Sequence, residues 1–262
     1  MFVLSASLSV PTDGNFADWV IFLTQEYGGI FLEGCMWTLL IALVGTVAGC
    51  VIGFICGSIQ TIEIQDTDPL YKKLFIGILK LIFNIYVEVF RGTPMMVQAM
   101  VMYYGLPMIG ISLAALPCGF LVVSINTGAY MAESVRGGID SVDIGQFEAG
   151  KAIGMKHFEI LRFIVMPQAI RNIMPQIGNQ LVINIKDTSV LNVISVSELF
   201  FAGKTAASVY YKYFESFFIV AVIYLCLTLV ISRIIRFIEK KMDGAADYSL
   251  ESTGSTELKG EV

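Results

Sequence analysis

The stretch Cys35–Ser58, CMWTLLIALVGTVAGCVIGFICGS, contains 24 residues and no charged side chain. A helix needs about 20 consecutive apolar residues to cross the roughly 30 Å hydrocarbon core of a bilayer. Within the stretch, glycine recurs at every fourth position, as Gly45, Gly49, Gly53 and Gly57. Residues four apart share one face of a helix, and small residues on that face let a second helix approach closely. The stretch therefore predicts a transmembrane helix that packs against another helix.

The composition of the whole chain agrees with a membrane protein. Of the 262 residues, 56% are hydrophobic and only 15% are charged, whereas soluble domains average about 25% charged residues. The 17 Lys and Arg residues against 22 Asp and Glu give a net charge of −5. This balance lacks the basic footprint of a nucleic-acid-binding protein. The five cysteines form no CxxC pair and have no His or Cys neighbours at metal-ligand spacing, so we expect no metal site.

Further apolar stretches predict an all-α polytopic protein with five transmembrane helices. The segment Leu74–Phe90 is also apolar, but Lys80, Asn84 and Glu88 fall on one face of it. That pattern favours an amphipathic helix at the membrane surface over a sixth membrane crossing. The four remaining predicted spans are Pro94–Ile109, Leu113–Ala132, Ala169–Ile185 and Phe214–Ser232.

Basic residues indicate how the spans are oriented, because Lys and Arg concentrate in cytoplasmic segments. The first 34 residues contain none, and five spans with the N-terminus outside place three basic clusters in the cytoplasm together with the C-terminus. Residues 1–244 then form the transmembrane domain, and the Ser-, Thr- and Glu-rich tail 245–262 is expected to be disordered. The clusters are Lys72, Lys73, Lys80 and Arg91; Arg136, Lys151, Lys156, Arg162 and Arg171; and Arg233, Arg236, Lys240 and Lys241.

The cytoplasmic segment between the third and fourth spans, residues 137–169, predicts two short helices. Asp140 or Ser141 can cap the first helix, and Gly154 can end it in a left-handed conformation. The second helix, Lys156–Val165, is expected to stop before Pro167. Two helices that meet at a glycine make a compact protrusion. From the residues alone it is either a docking element for a partner or a structural re-entry into the fourth span.

A motif in this segment resembles the EAA motif of ABC-importer permeases. Glu148-Ala149-Gly150, then Gly154, then Ile164-x-Met166-Pro167 follow its spacing, with Gly150 in place of Ala and Met166 in place of Leu. Three other segments are similar to permeases for polar amino acids, the group that serves histidine, glutamate, glutamine, arginine and opines. They are Tyr86–Gln98, which contains Arg91-Gly92-Thr93-Pro94; Ala129–Ile139, which contains Glu133 and Arg136; and Lys186-Asp187-Thr188-Ser189.

The resemblance implies a type I ABC-importer permease fold in the bacterial cytoplasmic membrane. Such a subunit catalyses no reaction and binds no cofactor, because ATP and Mg²⁺ belong to two separate ATPase subunits. Its other partners are a second permease subunit, identical or paralogous, and an extracytoplasmic amino-acid-binding protein. The resemblance assigns the coupling loop, which meets the ATPase, to Glu148, Ala149, Gly150, Gly154, Ile164 and Pro167.

Ionisable residues inside spans are usually functional and face the bundle interior. Lys186 and Asp187 either pair with each other or their neighbours, or Asp187 lines the substrate pathway. The full set of predicted pathway residues is Asp187, Asn184, Ser189, Lys186, Asn126, Thr127, Tyr130 and, at the outer mouth, Glu198.

Two ion pairs are also predicted within helices. Glu133 and Arg136 lie three residues apart, as do Glu88 and Arg91, and this spacing brings side chains together on a helix. If Arg91 pairs with Glu88, it anchors the second span and does not read substrate.

The alternative function is a stand-alone secondary transporter or channel that does not use ATP. Such proteins commonly contain two matched halves with broken helices at corresponding positions. Five spans cannot be divided in that way, which favours the ATP-driven permease subunit.

Overall fold

The computed structural model describes residues 10–242 apart from 12–13, 63 and 65–67. The described residues form α-helices with short 3₁₀ and π segments and contain no strand, so the all-α prediction is confirmed for them. The predicted disordered tail lies outside this range. The helices are α1 (Phe16–Gln60), α2 (Leu70–Gly92), α3 (Met95–Gly105), α4 (Ala115–Asp140), α5 (Ile144–Ala152), α6 (His157–Ile160), α7 (Met166–Asp187), α8 (Leu199–Tyr210) and α9 (Tyr213–Met242).

Helix α1 begins well before the predicted span. It has 45 residues and starts at Phe16, whereas the apolar run suggested a start at Cys35. Asn15 caps it, and the Asn15 backbone N–H donates a hydrogen bond to Asp18 Oδ2 at 3.0 Å. The added turns carry one apolar face that is buried with residues of α8 and α9. An amphipathic face therefore extends the helix where the continuous apolar run ends. The buried side chains of this face are Trp19, Phe22, Leu23 and Phe31.

The glycine stripe of α1 packs against α4, as the spacing predicted. Gly45 faces Val123, Gly49 faces Thr127, Gly53 faces Met131 and Gly57 faces Val135. The two helices advance by four residues at each step, so α1 and α4 run side by side in the same direction. A Cβ atom on Gly53 would lie 2.8 Å from the backbone carbonyl carbon of Met131. The close approach therefore requires glycine.

We expect Gly53→Ala to lower the free energy of unfolding by about 1–3 kcal/mol, because the added methyl group meets backbone that cannot rotate away. The thermal unfolding midpoint of the purified protein in detergent measures this effect. Gly77→Ala in α2 is the matched control, because no atom lies within 4 Å of the position of its Cβ. Equal midpoints for the two variants would contradict the packing role of the stripe.

Helix α7 packs against α4 in the opposite direction. The Ser134 hydroxyl donates to Gln176 Oε1 at 2.9 Å, and Asn184 Nδ2 donates to Thr127 Oγ1 at 2.9 Å. Residue numbers rise along α7 as they fall along α4. Helices α1, α4 and α7 therefore enclose a common core, with polar side chains inside it.

Three helices in the described part of the chain are long and apolar enough to cross a bilayer, namely α1, α4 and α9. A fourth candidate is a bent pair, Phe158–Ile194 with Leu199–Tyr210, whose two parts differ in direction by 54°. The predicted span Pro94–Ile109 corresponds to the shorter apolar helix Met95–Ile109. The structure thus supports a helical membrane protein with several spans, and the count of five stays a prediction.

Helix α2 contacts the bundle through its C-terminal half. The Tyr86 hydroxyl donates to the Ile125 carbonyl of α4 at 2.6 Å, and Gln60 Nε2 of α1 donates to Asn84 Oδ1 at 2.9 Å. At the other end of α2, Leu70 and Phe75 are 82% and 64% exposed. The predicted surface helix 74–90 lies within α2, and its depth in the membrane stays a prediction.

Candidate functional site

A cavity of about 530 Å³ lies where the α2–α3 junction, α4 and α7 meet. We call it the central cavity. Each of the three elements contributes polar or charged side chains to the cavity wall. Its lining residues are Arg91, Gly92, Thr93, Pro94, Met95, Asn126, Tyr130, Gln180, Ile183 and Asp187.

One side of the central cavity presents N–H donors. Arg91 lines it, with the guanidinium 5.4 Å from the centre of the Tyr130 ring. Helix α3 begins at Met95 on the same side, and no side chain caps its N-terminus. The N-terminus of a helix carries a partial positive charge from its unpaired N–H groups. This side is therefore suited to an anionic group.

The opposite charge comes from Asp187 on α7. Asp187 is the last residue of that helix, where the helix dipole is negative and disfavours a carboxylate. Among the described residues, no salt bridge within 4 Å joins Asp187 to a basic side chain, and its pairing with Lys186 or another neighbour stays a prediction. Lys186 and the half-buried Ser189 do not line the central cavity. The Asp187 carboxylate makes this side suited to a cationic group.

Asn126 fixes the α2–α3 junction beside the cavity. Its Nδ2 donates to Gln98 Oε1 at 3.0 Å and to the Phe90 carbonyl at 3.2 Å. Gln98 Nε2 in turn donates to the carbonyl of Phe90 at 2.8 Å and to that of Thr93 at 2.9 Å. These bonds satisfy backbone groups that the break between α2 and α3 leaves unpaired. Asn126 therefore positions Thr93 and also lines the cavity.

Asn184 and Thr127 do not line the central cavity, and the structure places them in a buried polar cluster beside it. They are 1% and 0% exposed between α1, α4 and α7. Asn184 Nδ2 donates to Thr46 Oγ1 at 2.8 Å, and Gln180 Nε2 donates to Asn184 Oδ1 at 3.1 Å. A buried amide needs partners on neighbouring helices because no water reaches it. Gln180 alone of this group also reaches the cavity.

Both predicted intrahelical ion pairs are wrong. Arg91 of α2 pairs with Glu133 of α4, across the gap between the two helices. The other two partners, Glu88 and Arg136, line a second cavity of about 260 Å³ next to this pair. Because α2 and α4 are packed together, each of the paired charges reaches an opposite charge on the facing helix.

Glu198 lies inside the protein and not at an outer mouth. It is 0% exposed and precedes α8, where its carboxylate accepts hydrogen bonds from the backbone N–H of Phe200 at 2.9 Å and of Phe201 at 2.8 Å. The Tyr224 hydroxyl of α9 donates to it at 2.8 Å. The predicted pathway role is therefore corrected to that of a buried helix cap.

The segment 137–169 differs from prediction at both ends. Asp143, and neither Asp140 nor Ser141, caps α5, accepting a hydrogen bond from the Gly145 N–H at 2.7 Å. The second helix does not stop before Pro167, because the π segment Leu161–Val165 joins α6 to α7. A π turn shifts the hydrogen-bond pattern where proline supplies no N–H. Gly154 has φ +81°, which confirms the predicted left-handed end of α5.

The segment presents an exposed face around the motif residues. Glu148 and Ala149 are exposed, and nearby Ile144 and Ile153 are 74% and 77% exposed. Gly150 is buried, with the position of its Cβ 2.8 Å from Ile160 Cγ1. Of the remaining motif residues, Ile164 is half-buried and Pro167 exposed. Exposed apolar side chains beside a carboxylate are typical of a protein-docking surface.

Three polar residues of the site were missed from sequence, namely Thr46, Gln98 and Gln180. Each is a hydroxyl or amide residue within an apolar helix. This feature could have identified them from sequence, because a polar side chain in a span needs a partner inside the bundle.

Comparison with known proteins identifies the family. Residues 73–244 match the family described as "binding-protein-dependent transport system inner membrane component". The chain is 38% identical over 216 residues to the glutamine transport system permease protein GlnP of Escherichia coli (strain K12), covering 81% of this chain and 93% of that protein.

Two solved structures share the fold. One is the crystal structure of an amino acid ABC transporter with histidines, with a TM-score of 0.75 and 32% identity over 89% of this chain and 100% of the other. The second, the inward-facing MetNI methionine ABC transporter, has a TM-score of 0.66 at 18% identity, covers 81% of this chain and 95% of the other, and shows the fold alone. The chain belongs to the family of binding-protein-dependent transport system inner membrane components.

Proposed function

We propose that this chain is the permease subunit of an ATP-driven ABC importer and that its substrate is a polar or charged amino acid. The observation that carries the proposal is the opposed charge of the central cavity. Arg91 and the start of α3 form one side, and Asp187 forms the other. Every free amino acid carries a carboxylate and an ammonium group, so it matches both sides at once. The relatives described as glutamine and amino acid transporters support the same substrate class.

Substrate recognition in this scheme depends on charge-assisted hydrogen bonds. The substrate carboxylate accepts from the N–H groups at the start of α3 and from Arg91, and its ammonium group donates to Asp187. Asn126 and Gln180 offer amide groups for a polar substrate side chain. Residues around Asp187 and Tyr130 thus form the substrate pathway, and Lys186, Ser189, Asn184, Thr127 and Glu198 support it from outside the cavity.

Helix directions support five crossings with the N-terminus outside. Helices α1 and α4 run in the same direction, so the α2–α3 segment between them crosses the membrane once in the opposite direction. Helix α7 runs against α4, and α9 completes the fifth crossing. Arg136 and Arg171 then lie on the same side as the basic end of α9, in agreement with the concentration of Lys and Arg in the cytoplasm. Residues 1–244 form this multi-pass domain of the bacterial cytoplasmic membrane, and the tail 245–262 is cytoplasmic.

The exposed segment 137–169 is the coupling loop of the proposal. Glu148 and the apolar residues around it dock into an ATPase subunit that binds ATP and Mg²⁺, and the left-handed turn at Gly154 holds α5 at a fixed angle to the helix that leads into α7. Movement of the loop is then passed to α7 and its Asp187. Two ATPase subunits, a second permease subunit and an amino-acid-binding protein complete the importer.

The test is ATP-dependent uptake of labelled amino acids into vesicles that contain the reconstituted complex. We expect Asp187→Asn to raise the KM for substrate on the order of tenfold or more, because the ammonium group loses its charged partner while the shape of the cavity is kept. Glu26→Gln, an exposed carboxylate on α1, is the matched control and should leave uptake unchanged. Unchanged kinetics in Asp187→Asn would remove Asp187 from the pathway, and uptake without ATP would favour the stand-alone transporter.

A further inference from the structure

Four charged residues line the second cavity, and one of them also lines the central cavity. Arg91 lines both cavities, and its partner Glu133 lines the second one. Glu88 and Arg136 line the second cavity as well, and neither forms an ion pair in the described part of the chain. We call Glu88, Arg91, Glu133 and Arg136 the charge quartet. Its single ion pair, Arg91–Glu133, crosses from α2 to α4.

Each member of that ion pair has a second oppositely charged residue on its own helix. Glu88 precedes Arg91 by three residues on α2, and Arg136 follows Glu133 by three residues on α4. Side chains at this spacing are neighbours on a helix surface. The Arg91 and Glu133 side chains are 37% and 43% exposed, so neither is locked in place by packing. The quartet can therefore exist with one pair between the helices or with two pairs within them.

We propose that the charge quartet is a gate in the substrate pathway, closed by the pair between α2 and α4 and opened when both charges turn to their partners on the same helix. This inference rests on the proposed function and concerns regulation of the same pathway. In the exchanged state Arg91 pairs with Glu88 and Glu133 pairs with Arg136, so opening leaves no charge of the quartet unpaired in the bundle. The exchange removes the ion pair between α2 and α4 and joins the two cavities.

The break between α2 and α3 fits such a movement, and so does the place of Arg91 beside the central cavity. Helix α2 ends at Gly92, and Thr93 is extended before α3 begins, so the chain has a break in its helical hydrogen bonding directly after Arg91. A substrate carboxylate in the central cavity competes with Glu133 for Arg91, which favours the exchanged state. Nucleotide binding to the ATPase subunits moves α4 and α7. This movement shifts the equilibrium between the two arrangements of ion pairs towards the closed one.

The test uses a cysteine reporter in the central cavity. Ile183 lines this cavity and is 41% exposed, and Ile183→Cys is made together with Cys226→Ser, which removes the exposed native thiol. The complete complex is placed in inside-out vesicles, and the rate of reaction with a membrane-impermeant maleimide is measured without nucleotide and in the ATP-trapped state. We expect the wild-type quartet to react about tenfold more slowly when trapped, as the closed state becomes dominant.

Three sets of substitutions separate a gate from an ordinary structural ion pair. Glu133→Gln removes the closed pair, so the reporter should react rapidly in both states. Arg91→Glu with Glu133→Arg restores a pair between the helices but gives each charge a like-charged neighbour on its own helix, so the reporter should react slowly in both states. Adding Glu88→Arg and Arg136→Glu regenerates both arrangements, and the dependence on nucleotide should return.

The outcomes also separate this inference from the proposed function. If the double variant responds to nucleotide like the wild type, or the fourfold variant does not regain the response, the gate is wrong even when amino-acid uptake is normal. A nucleotide-dependent reporter with no uptake of any amino acid overturns the substrate assignment and leaves the gate standing. Exchanging the ion pair at the start of α2 by Asp68→Lys with Lys72→Asp is the control, because this pair lies outside the quartet and should not alter the labelling.

Discussion

Glu148→Arg should abolish ATP-dependent uptake while the subunit still inserts and assembles with its partner permease. The Glu148 carboxylate is exposed on α5 and makes no ion pair in the described residues, so its loss removes no internal contact of this kind. An opposite charge at a docking surface turns attraction into repulsion, which costs several kcal/mol. We therefore expect uptake to fall on the order of a hundredfold or more. Labelled-substrate uptake and co-purification of the ATPase subunit measure the two steps separately.

Gly154→Trp tests the geometry of the same loop without changing its charge. Gly154 has φ +81°, which side chains disfavour, and no atom lies within 4 Å of its Cβ position. The Cβ of the tryptophan therefore meets no clash, and the substitution acts through the indole ring that it adds to the exposed turn and through the backbone, at a cost of about 1–2 kcal/mol for the left-handed conformation. We expect uptake to be lost and thermal stability nearly kept. Glu26→Arg, on the exposed face of α1, is the charge control for the first variant. Normal uptake in both loop variants would contradict the coupling role and favour the alternative that the segment is only a structural re-entry into the fourth span.

The close packing of α1 against another helix could be predicted, because the glycine pattern that indicates it lies within one helix. The four glycines of α1 are spaced to lie on one face, and small residues on one face indicate close helix approach whatever the partner is. The start of α1 was not predictable from the same run of residues. Its first turns are helical because one face, including Trp19 and Phe22, packs against distant parts of the chain. A search for continuous apolar residues does not detect such a face.

The neighbourhood of the site was predictable, but its pairings were not. Arg91, Asp187 and Tyr130 were selected because they lie in segments that resemble permeases. The structure places all three around one cavity. Sequence spacing shows only which residues are neighbours along one helix, so the prediction paired Arg91 with Glu88. The observed partner, Glu133, depends on how α2 and α4 face each other. That orientation is a property of the packed bundle.

Rotation of a helix decides which polar residue lines a cavity. Gln180, Asn184 and Asp187 all lie on α7 within two turns, and the pattern of residues alone did not separate them. The structure turns Gln180 and Asp187 to the central cavity and Asn184 to the buried core. A rotation of the helix by a fraction of a turn would exchange these roles, because each residue advances about 100° around the axis.

Glu198→Ala should destabilise the whole bundle, in contrast to Asp187→Asn. The Glu198 carboxylate connects the start of α8 to Tyr224 of α9, and the adjacent Leu199 N–H donates to Thr38 of α1 at 3.2 Å. Removing it leaves two backbone N–H groups and the Tyr224 hydroxyl without their acceptor in a dry interior. Each unsatisfied group costs about 1–3 kcal/mol. We expect a loss of about 3 kcal/mol or more in the free energy of unfolding and a low yield of folded protein.

The thermal unfolding midpoint in detergent and the yield of monodisperse protein measure this loss. Tyr224→Phe removes only one of the three hydrogen bonds to the carboxylate and should lower the midpoint less. Glu215→Ala in the first turn of α9 is the control, because its contact with Lys212 is a long ion pair of 3.9 Å and worth little. If Glu198→Ala kept the wild-type midpoint but lost uptake, Glu198 would return to the substrate pathway. A lower midpoint would instead explain why a carboxylate is kept at a position that substrate does not reach.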